Sequence, residues 1–146
     1  MTCAGPKGFP SACLETVVED HLIQRMLCDD LEGVADRLPT LPPLPVIKRL
    51  CDRIRHITTT HFDRAERVLG ALPIAHRPDE GEVAALRRMH LTDEAHGQDL
   101  ITTLWQQARL ADGRNAEQLG YMLRCFFDGC RRAISFKESL IAKGAV

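Results

Sequence analysis

Several protein classes are excluded by what this sequence of 146 residues lacks. It has no run of 18 apolar residues, which a membrane-spanning helix needs, and no apolar stretch after a basic N-terminus, which marks a secretory leader. Its formal net charge is only −1, so composition gives no reason to expect binding to a nucleic-acid backbone. The sequence therefore predicts a soluble, cytoplasmic protein that has neither nucleic acid nor membrane as a partner.

The six cysteines lack any CxxC pair, and without a leader they are expected to remain free thiols. Cys28, Cys51 and Cys125 fall at neighbouring levels of the predicted helices. Together they form a candidate thiol cluster that would sense oxidants or bind a soft metal ion. The competing interpretation treats each of them as a small buried hydrophobe, which is the more frequent role of a free cysteine.

Proline and glycine are almost missing from the interiors of four long segments, since they concentrate at residues 39–45, 73–81 and 112–113. Residues that break helices therefore separate four predicted helices, at residues 12–38, 46–71, 79–110 and 115–143. Residues 1–11 are predicted to be an N-terminal extension, and residues 12–146 to form one domain.

Apolar residues recur at alternating spacings of three and four in every segment, and no alternating strand pattern competes with them. This periodicity gives each helix one buried seam. Because the connections are short, consecutive helices should run antiparallel. The predicted fold is all-α, an up-down-up-down four-helix bundle.

Three histidines lie on these seams. In an antiparallel pair, residues equally distant from the turn face each other, so His21, His61 and His90 should lie at one level, beside Ala133. Three buried imidazoles without partners would cost several kcal/mol, roughly the usual penalty for unsatisfied polar groups. A shared metal ion would remove part of that cost. Histidines bonded to neighbouring side chains are the alternative.

Four segments in order, EDHLIQRMLCDDLE, HFDRAERVLGAL, LRRMHLTDEAHGQDL and LGYMLRCFFDGCRRAISFKESL, resemble the hemerythrin-like family of HHE cation-binding domains. The resemblance implies the four-helix bundle fold. It also implies a carboxylate-bridged di-iron centre, held by histidines from all four helices and by glutamates four residues after the histidines of the second and fourth helices.

This sequence departs from that pattern, although His21, His61 and His90 match it. The other expected ligand positions carry Ala65, Ala133 and Lys137. Glu66 and Glu138 each come one residue too late, and a shift of one residue turns a side chain by about 100° around the helix. An intact di-iron centre is therefore not expected.

The sequence instead predicts at most one metal ion, iron or zinc, on His21, His61 and His90, with Glu94 or water as the fourth ligand. The core offers no nucleophile with a base, so we expect no catalysis but binding or sensing of a small molecule such as O2 or NO. One alternative is a metal-free bundle that binds a protein partner. The other is a residual di-iron site that uses Glu66 and Glu138.

Overall fold

The computed structural model describes residues 9–110 and 115–145, with side chains from Leu14 onward. The five α-helices are α1 (Phe9–Arg37), α2 (Leu44–His56), α3 (Phe62–Gly70), α4 (Glu80–Leu110) and α5 (Ala116–Ala145). A π-helical segment, Ile57–His61, joins α2 to α3, so that these three pieces form one continuous rod. The described residues therefore form four long helical rods.

The four rods form the predicted all-α bundle, which confirms the fold class. Rod α1 packs against α5 and against the α2–α3 rod, while α4 packs against α5 and the same rod. The helix bounds agree with the prediction to within a few residues. However, α1 begins at Phe9, inside the predicted extension 1–11, of which residues 1–8 lie outside the described chain. Within the described ranges, no helix is long and apolar enough to cross a membrane.

The prediction of one regular second helix was wrong at Ile57–His61, where the backbone widens into a π turn. The Thr58 hydroxyl donates to the Ile54 carbonyl oxygen (3.1 Å) and the Thr59 hydroxyl to that of Arg55 (2.7 Å). Such bonds compete for the carbonyls of the preceding turn and loosen a regular helix. In this rod both His61 and Phe62, although consecutive, are buried.

Apolar residues fill the bundle on both sides of a polar layer. The larger apolar region includes Leu27, Leu31, Ile54, Leu100, Leu104, Leu123 and Phe126. Two smaller regions, around Val17, Ala65 and Val68 and around Leu69, Leu72 and Leu86, lie toward the other end. The layer between them contains the buried polar side chains of His21, His61, His90, Asp93 and Lys137. This polar core layer is the candidate functional site.

Candidate functional site

The three predicted histidines are all buried, and each comes from a different rod. Each imidazole lies beside a carboxylate, and each carboxylate lies beside an arginine nearer the surface. The three sets are His21–Glu138–Arg25, His61–Asp20–Arg64 and His90–Glu66–Arg87. We call these sets the three histidine relays.

The first relay joins α1 to α5. His21 Nδ1 lies 3.3 Å from Glu138 Oε2, and Arg25 donates two hydrogen bonds to the same carboxylate, at 2.9 and 2.7 Å. These bonds from Arg25 hold the pKa of Glu138 below its usual range. Because an ionised carboxylate only accepts hydrogen bonds, the bonding assigns the imidazole proton to Nδ1. Nε2 of His21 then carries a lone pair, is buried, and has no hydrogen-bond partner.

The relay between α3 and α4 has the same arrangement. His90 Nδ1 donates to Glu66 Oε2 at 2.7 Å, and Arg87 Nε lies 3.4 Å from the other oxygen of this carboxylate. The Phe62 ring stacks on the imidazole of His90 with 4.1 Å between centroids. Nε2 of His90 is also buried without a partner. Two imidazoles are therefore held by their outer nitrogens and offer a free inner nitrogen.

His61 is held differently, because both of its nitrogens face polar groups. Gln24 donates from Nε2 to His61 Nδ1 at 3.3 Å. His61 Nε2 lies 3.4 Å from Asp20 Oδ1, and Arg64 Nε lies 3.1 Å from Asp20 Oδ2. With Nδ1 as an acceptor, the proton of a neutral ring must be on Nε2 and point at the carboxylate. His61 thus resembles a satisfied core histidine more than a metal ligand.

All three imidazoles are held neutral. Burial, reinforced by the charge of Lys137, lowers the pKa of His21 to about 4 and that of His90 to about 3. For His61, burial and then the nearby charges of His56 and Arg64 lower the pKa to about 4. Neutral imidazoles that donate to carboxylates are the protonation state in which histidine also binds metal ions. Protonation is therefore no obstacle to a metal ion here.

Lys137 is the unexpected member of the layer. Its side chain is 0% exposed, and its ammonium nitrogen has no hydrogen-bond partner. Nζ lies over the ring of Phe62, 5.4 Å from the ring centroid. Burial lowers the pKa of Lys137 to about 8, opposed by longer-range attraction from Cys130, Asp93 and Asp20. The sequence left the direction of this side chain open, and the structure turns it into the core.

Asp93 is a buried acid that the sequence analysis did not single out. It follows His90 by three residues, which places both on one face of α4, and it is 4% exposed. Burial raises the pKa of Asp93 to about 7, against the attraction of Arg132 and Lys137. Its carboxylate lies against Gly129 of α5, where an added Cβ would overlap Oδ1. The missing side chain at Gly129 therefore makes room for Asp93.

We expect Gly129→Ala to destabilise the protein by roughly 1–3 kcal/mol, the usual cost of overpacking, because the methyl group must displace the Asp93 carboxylate. Gly70→Ala is the control, since a Cβ there has nothing within 4 Å. That variant should stay within about 1 kcal/mol of the wild type. Urea unfolding measures both, and an equal effect of the two substitutions would contradict the role assigned to Gly129.

The remaining predicted positions are Ala65, Ala133 and Glu94. Ala65 and Ala133 are buried and offer no ligand atoms. Glu94 is half-buried and lines an outer groove of about 380 Å³, together with Thr58, Phe62, Glu66 and His90. Across residues 9–110 and 115–145, no three His, Cys, Asp or Glu side chains are grouped so that they could hold a metal ion. The residues as placed do not fit a di-iron centre.

The thiol contacts in the structure differ from the predicted thiol cluster. Cys28 hydrogen-bonds to Cys130 and lies 3.7 Å from the Phe127 carbonyl oxygen. This bond with Cys28, followed by burial, raises the pKa of the Cys130 thiol well above its usual value. Cys51 is buried in the same apolar region, whereas Cys125 is only half-buried and bonds to Tyr121. The thiol pair is therefore Cys28 and Cys130.

One signal in the sequence points to the relays. An arginine lies about one helical turn from each core histidine, at Arg25, Arg64 and Arg87. Arginines so close to a buried seam are expected to reach an acid that lies between them and the core. Glu66 and Glu138, which are one residue out of register as ligands, are placed to be these acids. Their position lets them bind the outer nitrogen of a histidine.

Comparison with known proteins gives one match. The sequence model described as the hemerythrin HHE cation-binding domain matches residues 13–143, which is most of the chain. No curated protein matches. No solved structure matches either.

Proposed function

Because the chain belongs to the hemerythrin HHE cation-binding domain family, we propose that it is a non-catalytic member in which Lys137, and not a pair of metal ions, supplies the positive charge of the core. This proposal rests on the observation that Nζ of Lys137 is fully buried and has no hydrogen-bond partner, in the same layer as His21 and His90. Its function is then to bind a small molecule at this layer, or to act as a regulatory bundle, without a di-iron centre.

Electrostatics supports this proposal. A divalent cation about 5 Å from an ammonium group is repelled by roughly 7 kcal/mol at an effective dielectric constant of about 20. A metal site tolerates such a cost only with strong anionic ligands, and the acids beside His21 and His90 are turned to the outer nitrogens. Longer-range attraction between Lys137 and Asp93 balances the charge instead. The imidazoles and carboxylates of the polar core layer therefore fit one lysine better than they fit two metal ions.

A second candidate is carried by the two free imidazole nitrogens. Nε2 of His21 and Nε2 of His90 are buried, unpartnered and oriented by carboxylates on their outer sides, the usual arrangement around a metal ligand. One iron or zinc ion would be held there, with Asp93 or Glu94 as a further ligand, once Lys137 loses its proton. Binding of a diatomic molecule such as O2 or NO belongs to this candidate.

Metal analysis separates the two candidates. We expect protein purified without chelator or affinity tag to contain less than about a tenth of an equivalent of metal, and EDTA to leave its melting temperature unchanged, because a bound ligand would have to raise stability by mass action. One equivalent of metal, lost in His90→Gln but kept in His56→Gln, would support the second candidate. Two equivalents with a visible absorption band would support the di-iron alternative and contradict the proposal.

A further inference from the structure

A groove of about 710 Å³ lies where α1, the connecting residues 38–43 and the first turns of α2 meet. Its floor is apolar, since the buried side chains of Val34 and Leu50 line it together with the half-buried Leu41 and Val46. None of its residues belongs to the polar core layer. Small-molecule sites in proteins have volumes of roughly 300–1,000 Å³ and mostly apolar walls with a few polar groups. The groove therefore has the size and the floor of such a site.

The acids on the rim of this groove already have cationic partners. Asp30 accepts a hydrogen bond from Arg53 at 2.8 Å, and Asp29 accepts one from Arg131 at 2.8 Å. A carboxylate paired with a guanidinium group repels a nearby anion much less than an isolated carboxylate does. These two acids therefore do not make the groove unfavourable for an anionic ligand.

Two other arginines on the rim have no acid of their own. Arg37 and Arg49 both line the groove, and neither forms an ion pair with a described residue. The Arg37 side chain extends back along α1, because a Cβ placed on Gly33 would lie 3.8 Å from one of its terminal nitrogens. Guanidinium groups bind carboxylate and phosphate through two parallel hydrogen bonds. The groove thus combines an apolar floor with unpaired positive charge.

The start of α2 adds to the positive potential. Pro43, which precedes the helix, and Val46 in its first turn both line the groove. Among the described residues, no side chain caps the backbone at this end of the helix, and the first turn contains no acid. The partial positive charge of the helix N-terminus is therefore uncompensated. The arginines and the helix dipole favour a ligand of the same sign.

The wall made by residues 38–43 is held in place before any ligand binds. The Thr40 N–H donates to the Arg37 carbonyl oxygen at 2.9 Å. Pro42 and Pro43 also line the groove, and the proline ring restricts the backbone at both positions. A preformed wall loses little conformational entropy on binding, which favours affinity.

We propose that this groove binds an amphiphilic anion, a small molecule with a carboxylate or phosphate head and an apolar chain. The head lies between Arg37 and Arg49, and the chain covers Val34 and Leu50. An inorganic anion would leave the apolar floor exposed to water, and an uncharged apolar molecule would leave both arginines unpaired. This site goes beyond the function proposed above, which concerns the polar core layer, and it requires no metal ion.

Calorimetric titration of the wild-type protein tests the proposal with two probes, decanoate and decyl phosphate, at concentrations below those at which they form micelles. We expect at least one of them to bind with one molecule per chain. Acetate and inorganic phosphate lack the apolar chain, and decyl maltoside lacks the charge, so each should bind about tenfold more weakly or less. The two probes carry the same chain, so their relative affinities distinguish a carboxylate ligand from a phosphate ligand.

Variants test the location. Gly33→Leu fills the groove without removing a charge, and its Cβ makes only an ordinary contact with Arg37, so this variant is expected to fold. It should weaken binding by about tenfold or more. Gly70→Leu, on α3 and outside the groove, should not. Arg49→Gln should weaken binding by roughly fivefold, whereas Arg88→Gln, at an exposed position on α4, should leave it unchanged.

The wild-type protein alone can overturn the proposal, whatever the folding of a variant. Failure of both probes to bind at concentrations up to about 1 mM contradicts it. Equal affinity for decyl maltoside contradicts the role of the arginines, and equal affinity of the Gly33→Leu variant contradicts the location. The metal content of the protein, which tests the function proposed above, has no bearing on these outcomes, so the two proposals fail separately.

Discussion

Lys137→Glu is expected to destabilise the metal-free protein by roughly 3–5 kcal/mol, the usual cost of an uncompensated buried charge, and to make its stability depend on divalent metal ions. The substitution replaces the only buried cation of the described layer with a carboxylate. Asp93 and Asp20, which now attract Lys137, would then repel the new charge. The metal-free variant should therefore unfold at a lower temperature and a lower urea concentration.

Metal ions should rescue this variant. The new carboxylate would join the free Nε2 atoms of His21 and His90, and the repulsion by Lys137 would be gone. Zn²⁺ or Fe²⁺ at about 100 times its dissociation constant adds about 2.7 kcal/mol. For a chain of this length that corresponds to a rise in melting temperature of roughly 5–10 °C. Thermal melts with and without metal ions, together with calorimetric titration, measure the effect.

Lys137→Met is the matched control, because it removes the charge with a side chain of similar length and adds no ligand oxygen. Replacing even a buried ion pair by apolar side chains is often neutral or stabilising by about 1–4 kcal/mol, so this variant should not be destabilised as the glutamate variant is. It should gain no stability from metal ions at the same concentration. An equal response of both variants, or none in the glutamate variant, would contradict the account of Lys137.

The fold could be predicted from the sequence because its signals are local and repeated. Seam residues recur along each rod, and proline or glycine marks each turn, so every helix was located independently of the others. Short connections then leave one simple topology for four long helices. The burial of His21, His61 and His90 in one layer follows from the same reasoning, since height in an antiparallel pair is fixed by distance from the turn.

The other features of the site depend on the direction in which each side chain points from its helix. The level of a residue along the bundle does not determine that direction. Lys137 and Glu138 are consecutive, yet one is fully buried and the other is bonded to Arg25 at the surface. A seam assigned from apolar spacing gives no reason to bury a lysine. Glu66 was expected to miss the site, but a long side chain at the edge of the seam reaches the outer nitrogen of His90. The one-residue shift in register excluded Glu66 as an inner ligand. The sequence analysis therefore did not detect its second role, which is to accept a hydrogen bond from the outer nitrogen of His90.

Acid is expected to unfold the protein cooperatively between about pH 4 and 6.5, because three buried histidines must remain neutral in the folded state. The pKa is lowered to about 4 for His21 and His61 and to about 3 for His90. A group whose pKa is depressed by folding contributes stability above its unfolded pKa, about 6.5 for histidine. That contribution is lost as the pH falls toward the folded pKa values.

Asp93 affects the pH dependence of stability in the opposite direction to the histidines, over the same pH range. Its pKa is raised to about 7 by folding, so its contribution is present below its unfolded pKa of about 4 and is lost as the pH rises through 7. Between these limits the unfolded chain binds up to three more protons at the histidines and one fewer at Asp93, and the pKa values of Asp20 and Glu66, which burial raises, also oppose the histidines. A net difference of up to two protons makes stability fall by up to about 2.7 kcal/mol per pH unit on acidification. Two units would remove about 5 kcal/mol, the lower bound of typical domain stabilities.

Variants at single groups test the origin of this slope, measured as the free energy of unfolding in urea at closely spaced pH values. His61→Gln should reduce the slope by about 1.4 kcal/mol per pH unit, the value of one proton. Asp93→Asn should increase the slope by the same amount, because it removes the group that opposes the histidines. If Asp93→Asn instead made stability depend less on pH, the histidines would not be the groups that titrate on unfolding. That result would contradict the conclusion that the histidines of the three relays are neutral in the folded protein.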